Sequence, residues 1–287
     1  MANRKIAIVT DSSCDLPDSL LLENHIHVVP LRIVYKTREY RDRVEITAEK
    51  VYELLAQEVP KTSLPLPQDV MEILDGLMAE GYTDVVYLSI SAGLSGSYNL
   101  IRLLVQQYTG FHIEVVDTRT LSMGLGFLVL EAAREANRTG DPQAVLAKIE
   151  KIRSRMDALF VIKTLEYLRK GGRIGKVEGT LGMLIDLKPI IGVGLDGVYH
   201  SMAKVRGFKN SVQKMLSMVK EKYNGKSINV AVVHGSSLPE ANALLDEVRQ
   251  FATVCESLVT QVSPALGIHT GPGLLGIITY EIMESKA

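Results

Sequence analysis

The feature that most constrains this chain is a series of short β-branched apolar runs, each followed by helical periodicity or a polar turn. Residues 5–10 (Lys-Ile-Ala-Ile-Val-Thr), 27–34, 84–90 (Asp-Val-Val-Tyr-Leu-Ser-Ile) and 112–117 (His-Ile-Glu-Val-Val-Asp) are such runs. A strand that is apolar on both faces must be covered on both faces, so these runs predict a parallel sheet flanked by helices. The helices carry their own punctuation. Thr47 precedes a helix over 48–59, and Pro67 opens one over 70–80 that Gly81 stops. Asp141 and Pro142 form an N-cap and first-turn pair for a helix over 144–155.

Beyond Arg155 the grammar changes. A run at 159–162 leads into a short helix over 164–170, stopped by Gly171-Gly172. Runs at 188–193 and 198–202 flank Leu195-Asp196-Gly197, which reads as a hairpin. Helices over 210–221 and 239–251 then mingle with strands over 228–233, 256–262 and 275–280. The fold class expected is α/β with two domains. Residues 1–155 would form an N-terminal parallel sheet with helices on both faces, and 156–287 a C-terminal mixed α/β domain. The chain shows no Pro/Ser-rich linker, low-complexity tract or internal repeat between them, so the two are expected to pack closely.

Composition excludes several classes. The 287 residues suffice for two cores. Lys and Arg total 32 against 33 Asp and Glu, a net charge of −1, which argues against nucleic acid as a partner and against a DNA-binding regulator. The absence of Trp and the 6% aromatic content argue against a stacking platform for single strands. Cys14 and Cys255 make neither a disulfide framework nor a metal cluster, and Cys14 reads as a small filler. The N-terminus lacks the apolar stretch of a signal peptide, and no window approaches the ~20 apolar residues of a membrane span. A cytoplasmic location is the expectation.

In an open parallel sheet, ligands bind beyond the carboxyl ends of the strands. Asp11-Ser12-Ser13, the loop from Ser91 to Ser97 and Asp117-Thr118 fall there. In the second of these, Gly93 and Gly96 permit close backbone approach, and a helix over 98–108 begins just beyond. An anionic oxygen would rest at Ser95 and Gly96; the alternative is an ordinary N-cap by Ser95 or Ser97. Thr62 and Ser63 precede Pro65 and Pro67, a stiff connector that aims two hydroxyls or simply caps the next helix. His269, in His-Thr-Gly-Pro-Gly, sits on a shaped loop where an imidazole donates to a carboxylate or acts as a base. The other histidines, His25, His27, His112, His200 and His234, have no metal-ligand spacing and read as surface or edge residues. Arg173, after two glycines, and Arg206, before a helix, are either phosphate or acidic-partner contacts or solvated charges. Asp11 and Asp117 are candidate bases or metal ligands, or acids that hold neighbouring loops.

One enzymatic reading follows from chain order. Gly93-Leu-Ser-Gly-Ser97 nearly matches a nucleophile elbow, and Ser95, Asp117 and His269 follow the order of α/β-hydrolase triads. Against a serine hydrolase, Ser97 stands where close packing calls for Gly, and the hairpin-containing half does not extend a single sheet.

Taken in order, these motifs resemble the DegV family of bacterial fatty-acid-binding proteins. The resemblance rests on Ile8-Val-Thr-Asp-Ser-Ser13, Thr62-Ser63 with its prolines, Ile90-Ser-Ala-Gly-Leu-Ser-Gly96 and Val116-Asp-Thr118. It continues through Leu165-Glu-Tyr-Leu-Arg-Lys-Gly-Gly-Arg-Ile174, Leu187-Lys-Pro-Ile190, Lys204-Val-Arg-Gly207 and His269-Thr-Gly-Pro-Gly273. Each is short; together they span nearly the whole chain. Leu64 departs from the pattern, which usually has a polar residue there. The resemblance implies two α/β domains with a long-chain fatty acid between them as ligand, no cofactor, no metal and no catalytic residue. Thr62, Ser95 and His269, helped by the Gly96 amide, would hold the carboxylate, while Thr270 and Gly271 shape the same loop. Arg173 and Arg206 would lie near the head group, facing a partner. That partner is the ATP-binding subunit of a fatty acid kinase, which makes the acyl phosphate for phospholipid metabolism. Transient membrane contact for lipid exchange is also implied. The apolar residues between Thr180 and Ile191 are expected to line the tail.

Overall fold

A computed structural model describes residues 4–109, 111–180 and 187–282. The first half contributes β1 (Ile6–Asp11), β2 (Ile26–Val29), β3 (Arg32–Val34), β4 (Glu39–Arg41), β5 (Lys61–Ser63), β6 (Asp84–Ser89) and β7 (His112–Asp117). Of these, β2-β1-β6-β7 form a four-stranded sheet, parallel throughout. Its register pairs Asp11 with Val29 and Ser89 with Asp117, so the strands end along one edge. The period-2 alternation of side chains divides the sheet between two cores. Ile8, Val86 and Leu88 face one cluster, while Ala7, Val9, Val85 and Tyr87 face another built with Val70, Leu74 and Leu77 of the helix Pro67–Ala79.

The second half contributes β8 (Met156–Val161), β9 (Leu187–Val193), β10 (Tyr199–Arg206), β11 (Ser227–His234), β12 (Thr253–Gln261) and β13 (Leu275–Glu281). They form a six-stranded mixed sheet in the order β10-β9-β8-β13-β11-β12. Only β11 and β12 run parallel; the other neighbouring pairs are antiparallel. Helices Phe208–Tyr223 and Leu238–Arg249 cover one face, where Met215, Val219, Leu244 and Val248 meet Val230, Val232 and Ile277.

Between the two sheets lies the helix Met123–Thr139, to which the sequence reading assigned no element. Its first eight residues are all buried, so it lacks the polar stripe that marks an ordinary surface helix. Phe127 meets Tyr280 edge to face, and one apolar cluster runs from Ile8 and Val86 through this helix to Phe160, Ala231 and Ile278. The two sheets therefore share a core.

Other differences have local causes. The run at 27–34 is two strands rather than one: Pro30 intervenes, and the chain leaves the parallel sheet to enter a small antiparallel sheet, β4-β3-β5. Thr62-Ser63, expected in a stiff connector, lies in β5, Thr62 opposite Ile33. The helix expected over 98–108 runs from Ser97 to Leu104 and tightens into a 3₁₀ turn at Val105–Gln107. His234 is buried at the end of β11 rather than on the surface. No helix among the described residues is long and apolar enough to cross a membrane.

Candidate functional site

The helix that carries His269, Pro264–Thr270, is anchored by two buried acids. Proline opens it, with no N–H to satisfy, and the N–H groups on either side find carboxylates. Ala265 N–H donates to Asp42 at 2.9 Å and Ser263 N–H to Asp15 at 2.7 Å. Ser12 Oγ donates to Asp42 at 2.6 Å, and Ser122 Oγ to Asp15 at 2.5 Å. Arg43 binds Leu16 O and Asp18 nearby. Burial pushes Asp42 up to about 7 and Asp15 up to about 6, against the pull of these hydrogen bonds and of Arg43. The 3₁₀ turn after β1, Ser122 and the start of the His269 helix are thus joined through two carboxylates that both come from the first half of the chain.

Alongside this anchor, between the sheets, is a cavity of about 260 Å³. Most of its wall is apolar: Ile90 and Leu121 come from the first half, and Phe160, Val193, Val233 and Ile278 from the second. Thr62, Ser95, Arg173, His269 and Thr270 also line it, drawn from β5, the loop after β6, the turn after Lys170 and the His269 helix. Thr62 Oγ1 and His269 Nε2 are 2.9 Å apart. Ser95 Oγ meets Ser97 Oγ at 2.9 Å and accepts from the Ser97 N–H at 3.2 Å, an ST turn just ahead of the helix. Arg173 donates through Nη1 to Gly171 O at 2.6 Å and approaches Leu94 O through Nε at 3.4 Å, tying its turn to the Ser91–Ser97 loop.

His269 is 9% exposed, and burial together with the Arg173 charge lowers it to about 4, so it is neutral at pH 7. Its Nδ1 is buried without a partner among the described residues and faces Gly171, where a Cβ would collide with the ring. Glycine at 171 is thus what admits the imidazole.

The structure sorts the expected residues. Thr62, Ser95 and His269 line the same cavity, with Arg173 beside them. Gly96 is absent from this lining and borders a neighbouring pocket. Leu64 lines the cavity and lies against Gly96. Arg206 is not brought to it: it is exposed at the end of β10, seven residues beyond the cavity-lining Tyr199, or about 23 Å at strand rise. Of the segment expected to line the tail, 181–186 lie outside the described residues, and Ile190 and Ile191 are buried in β9 and are not part of the cavity lining.

Asp11 and Asp117 are taken up by loops. Asp11 accepts from Ser13 N–H and Oγ–H and from Ile90 N–H; Asp117 accepts from Ala92 and Arg119 N–H. Ser95, Asp117 and His269 therefore form no hydrogen-bonded triad, since the imidazole pairs with Thr62. No group of three or more His, Cys, Asp or Glu among the described residues is arranged to hold a metal. The sequence reading missed Asp15, Asp42 and Tyr199. Asp42 sits between Arg41 and Arg43 in what reads as a charged surface loop, and no local signal marks it as buried.

A family profile described as "Uncharacterised protein, DegV family" matches residues 5–281. A DegV domain-containing protein of Clostridium perfringens is 40% identical over 274 residues, covering 96% of this chain and 98% of its own. A fatty-acid-binding DegV family protein from Thermus thermophilus superposes with a TM-score of 0.88 at 30% identity, over 97% of this chain and 100% of that one. A stearic acid-binding protein from Eubacterium ventriosum superposes with a TM-score of 0.84 at 25% identity, over 96% and 98%.

Proposed function

The chain belongs to the DegV family, and from that premise we propose that it binds a long-chain fatty acid and offers its carboxylate to a separate, ATP-dependent fatty acid kinase. The observation that carries the binding is one cavity between the sheets, apolar over most of its wall, with Thr62, Ser95, His269 and Arg173 together in its lining. A carboxylate buried without partners is strongly unfavourable, so the hydroxyls of Thr62 and Ser95, with the His269 imidazole, are what allow the acid group to enter. The apolar wall supplies affinity. About 15 methylenes at ~0.8 kcal/mol each amount to roughly 12 kcal/mol gross, from which the entropy of association is subtracted.

The neutral imidazole has a defined part in this reading. With its proton on Nε2 it donates to Thr62 Oγ1, which leaves the Thr62 hydroxyl proton to point at the ligand. Ser95 donates alongside by turning its hydroxyl from Ser97. Neutral donors hold the carboxylate without quenching its oxygen as a nucleophile, which suits a group that is to be phosphorylated. Arg173 faces the partner; Arg206 would extend that surface along β10. In the same reading the protein acts in the cytoplasm, touches a membrane only to exchange lipid, divides near residue 155 and serves as a carrier rather than a catalyst.

The test is native mass spectrometry of freshly purified protein, followed by palmitate uptake by delipidated protein. A fatty-acid mass that persists on the intact chain, and 1:1 uptake of palmitate, are expected. Delipidated protein that takes up neither palmitate nor oleate overturns the proposal.

A further inference from the structure

The cavity between the sheets does not end with its apolar wall. A further pocket, of about 300 Å³, adjoins it and shares Ala158 and Val193 with it. Three segments run from one into the other. Along the inner face of β8, Phe160 lines the first cavity, Ala158 both and Met156 only the second; along β9, Val193 lines both, Gly194 and Leu195 only the second. After β7, Leu121 and Ser122 line the first, Arg119 and Thr120 the second. The head-group end lies the other way. Strand β13 begins just beyond the His269–Gly273 loop, and its Leu275 pairs with Val161 of β8. Met156 is five residues back along β8 from Val161, about 17 Å at strand rise. The second pocket thus continues the cavity away from the head group.

This distal pocket is polar where a methyl terminus needs nothing polar. Besides Thr120 and Ser154 it is lined by Arg119, Arg153 and Glu150, two guanidiniums against one carboxylate. Glu150 is committed to Arg153, whose Nη2 lies 2.8 and 2.6 Å from its two oxygens. The Arg119 side chain has no partner among the described residues; only its backbone N–H is engaged, by Asp117. Its backbone is held in place. Gly197, at φ +76°, lets the β9–β10 turn close against Arg119, since a Cβ at 197 would lie 3.1 Å from both its Cα and its Cβ. Ser91 Oγ fastens the same turn by donating to Gly197 O at 2.7 Å. The pocket therefore presents one positive charge that no acid in its lining balances.

We propose that the distal pocket binds a second carboxylate at the far end of the ligand, so that this protein takes long-chain α,ω-dicarboxylic acids as well as simple fatty acids. The inference rests on the carrier reading above and adds a ligand class to it. A cavity apolar to its end would reject such a ligand, because the second acid group would lose its hydration and gain no partner. Here the terminal group passes between Ala158 and Val193 and meets Arg119, whose guanidinium matches two carboxylate oxygens with paired N–H donors. Thr120 stands beside it as a neutral donor. Arg119, Glu150, Ser154 and Leu195 are exposed, so the second carboxylate keeps part of its water. The two acid groups sit at opposite ends and do not compete for the same donors.

The test titrates delipidated protein calorimetrically with palmitate and with tetradecanedioate, hexadecanedioate and octadecanedioate, a series in which one length should span both ends. The best of the three is expected to bind within tenfold of palmitate, and Arg119→Gln to weaken it at least fivefold more than it weakens palmitate. The monomethyl ester of that diacid keeps one carboxylate for the head-group end and has none for the distal pocket. It should respond to Arg119→Gln no more than palmitate does. If all three diacids bind more than tenfold below palmitate, if Arg119→Gln shifts the diacid by less than fivefold relative to palmitate, or if the ester responds more strongly than palmitate, the distal site is wrong although fatty-acid binding stands. If the wild type binds no palmitate, the carrier reading falls and takes this site with it.

Discussion

Replacing Thr62 by Val isolates the hydrogen bond on which the head-group end depends. The two side chains are nearly isosteric, so the change removes an oxygen and little else. In the free protein, His269 then has both ring nitrogens unpaired among the described residues, because Nδ1 already lacks a partner there and Nε2 loses the Thr62 hydroxyl at 2.9 Å. Leaving a buried polar group unsatisfied costs about 1–3 kcal/mol, so the variant should lose that much stability and unfold at lower urea. The ligand loses one charge-assisted hydrogen bond, worth about 1.5–3 kcal/mol. Palmitate should therefore bind roughly 10- to 100-fold more weakly. Calorimetric titration of delipidated protein measures the second effect and urea unfolding the first. A cycle with His269→Ala separates them: on that background Thr62→Val should cost under about 0.5 kcal/mol in stability, leaving a coupling of about 1 kcal/mol or more between the two residues. If Thr62→Val binds palmitate within twofold of wild type and unfolds at the same urea concentration, the assigned role of the pair is refuted.

Gly171→Ala should disturb the same pair from behind. Its Cβ would collide with the His269 ring and push Nε2 off Thr62, so palmitate affinity should fall at least tenfold; unchanged affinity would show that the ring has room the structure does not give it. The buried acid pair predicts a pH effect whose sign is fixed by the raised position of Asp42, about 7 against 3.8. A carboxyl whose folded value is raised stabilises most below its unfolded value, and that contribution is lost as pH climbs through the folded one. Relative to wild type, Asp42→Asn should therefore gain about 2–3 kcal/mol between pH 5 and pH 8 in urea unfolding; a difference that stays constant across that range would contradict the assignment.

The parallel sheet was legible because a strand covered on both faces must be apolar throughout, and residues 5–10 and 84–90 carry that mark within six or seven residues, while 112–117, with Glu114, is a half-buried edge strand. The loops at its carboxyl edge were legible for a similar local reason: Ser, Gly and Asp there answer to turn and cap geometry, as the Ser95–Ser97 turn and the Asp11 cap show. The family resemblance named Thr62, Ser95 and His269, but no local pattern says that two residues 207 positions apart touch. The helix Met123–Thr139 escaped notice for the opposite reason to the strands. Packed between two sheets, it has no polar face over its first turns, and periodicity disappears when every side is buried. Asp15 and Asp42 carried no signal either, since an acid is buried by what the tertiary structure brings to its oxygens. Here those partners are the backbone N–H groups of Ser263 and Ala265, more than two hundred residues away. Sequence alone thus determined the elements whose stability is local and the residue types at the sheet's edge. Only the tertiary structure decided which hydroxyl meets which imidazole, that Arg173 reaches the cavity while Arg206 does not, and where an apolar volume stays open between the sheets. Those outcomes depend on packing between segments distant in the chain, where each contact exists only once all the others are in place.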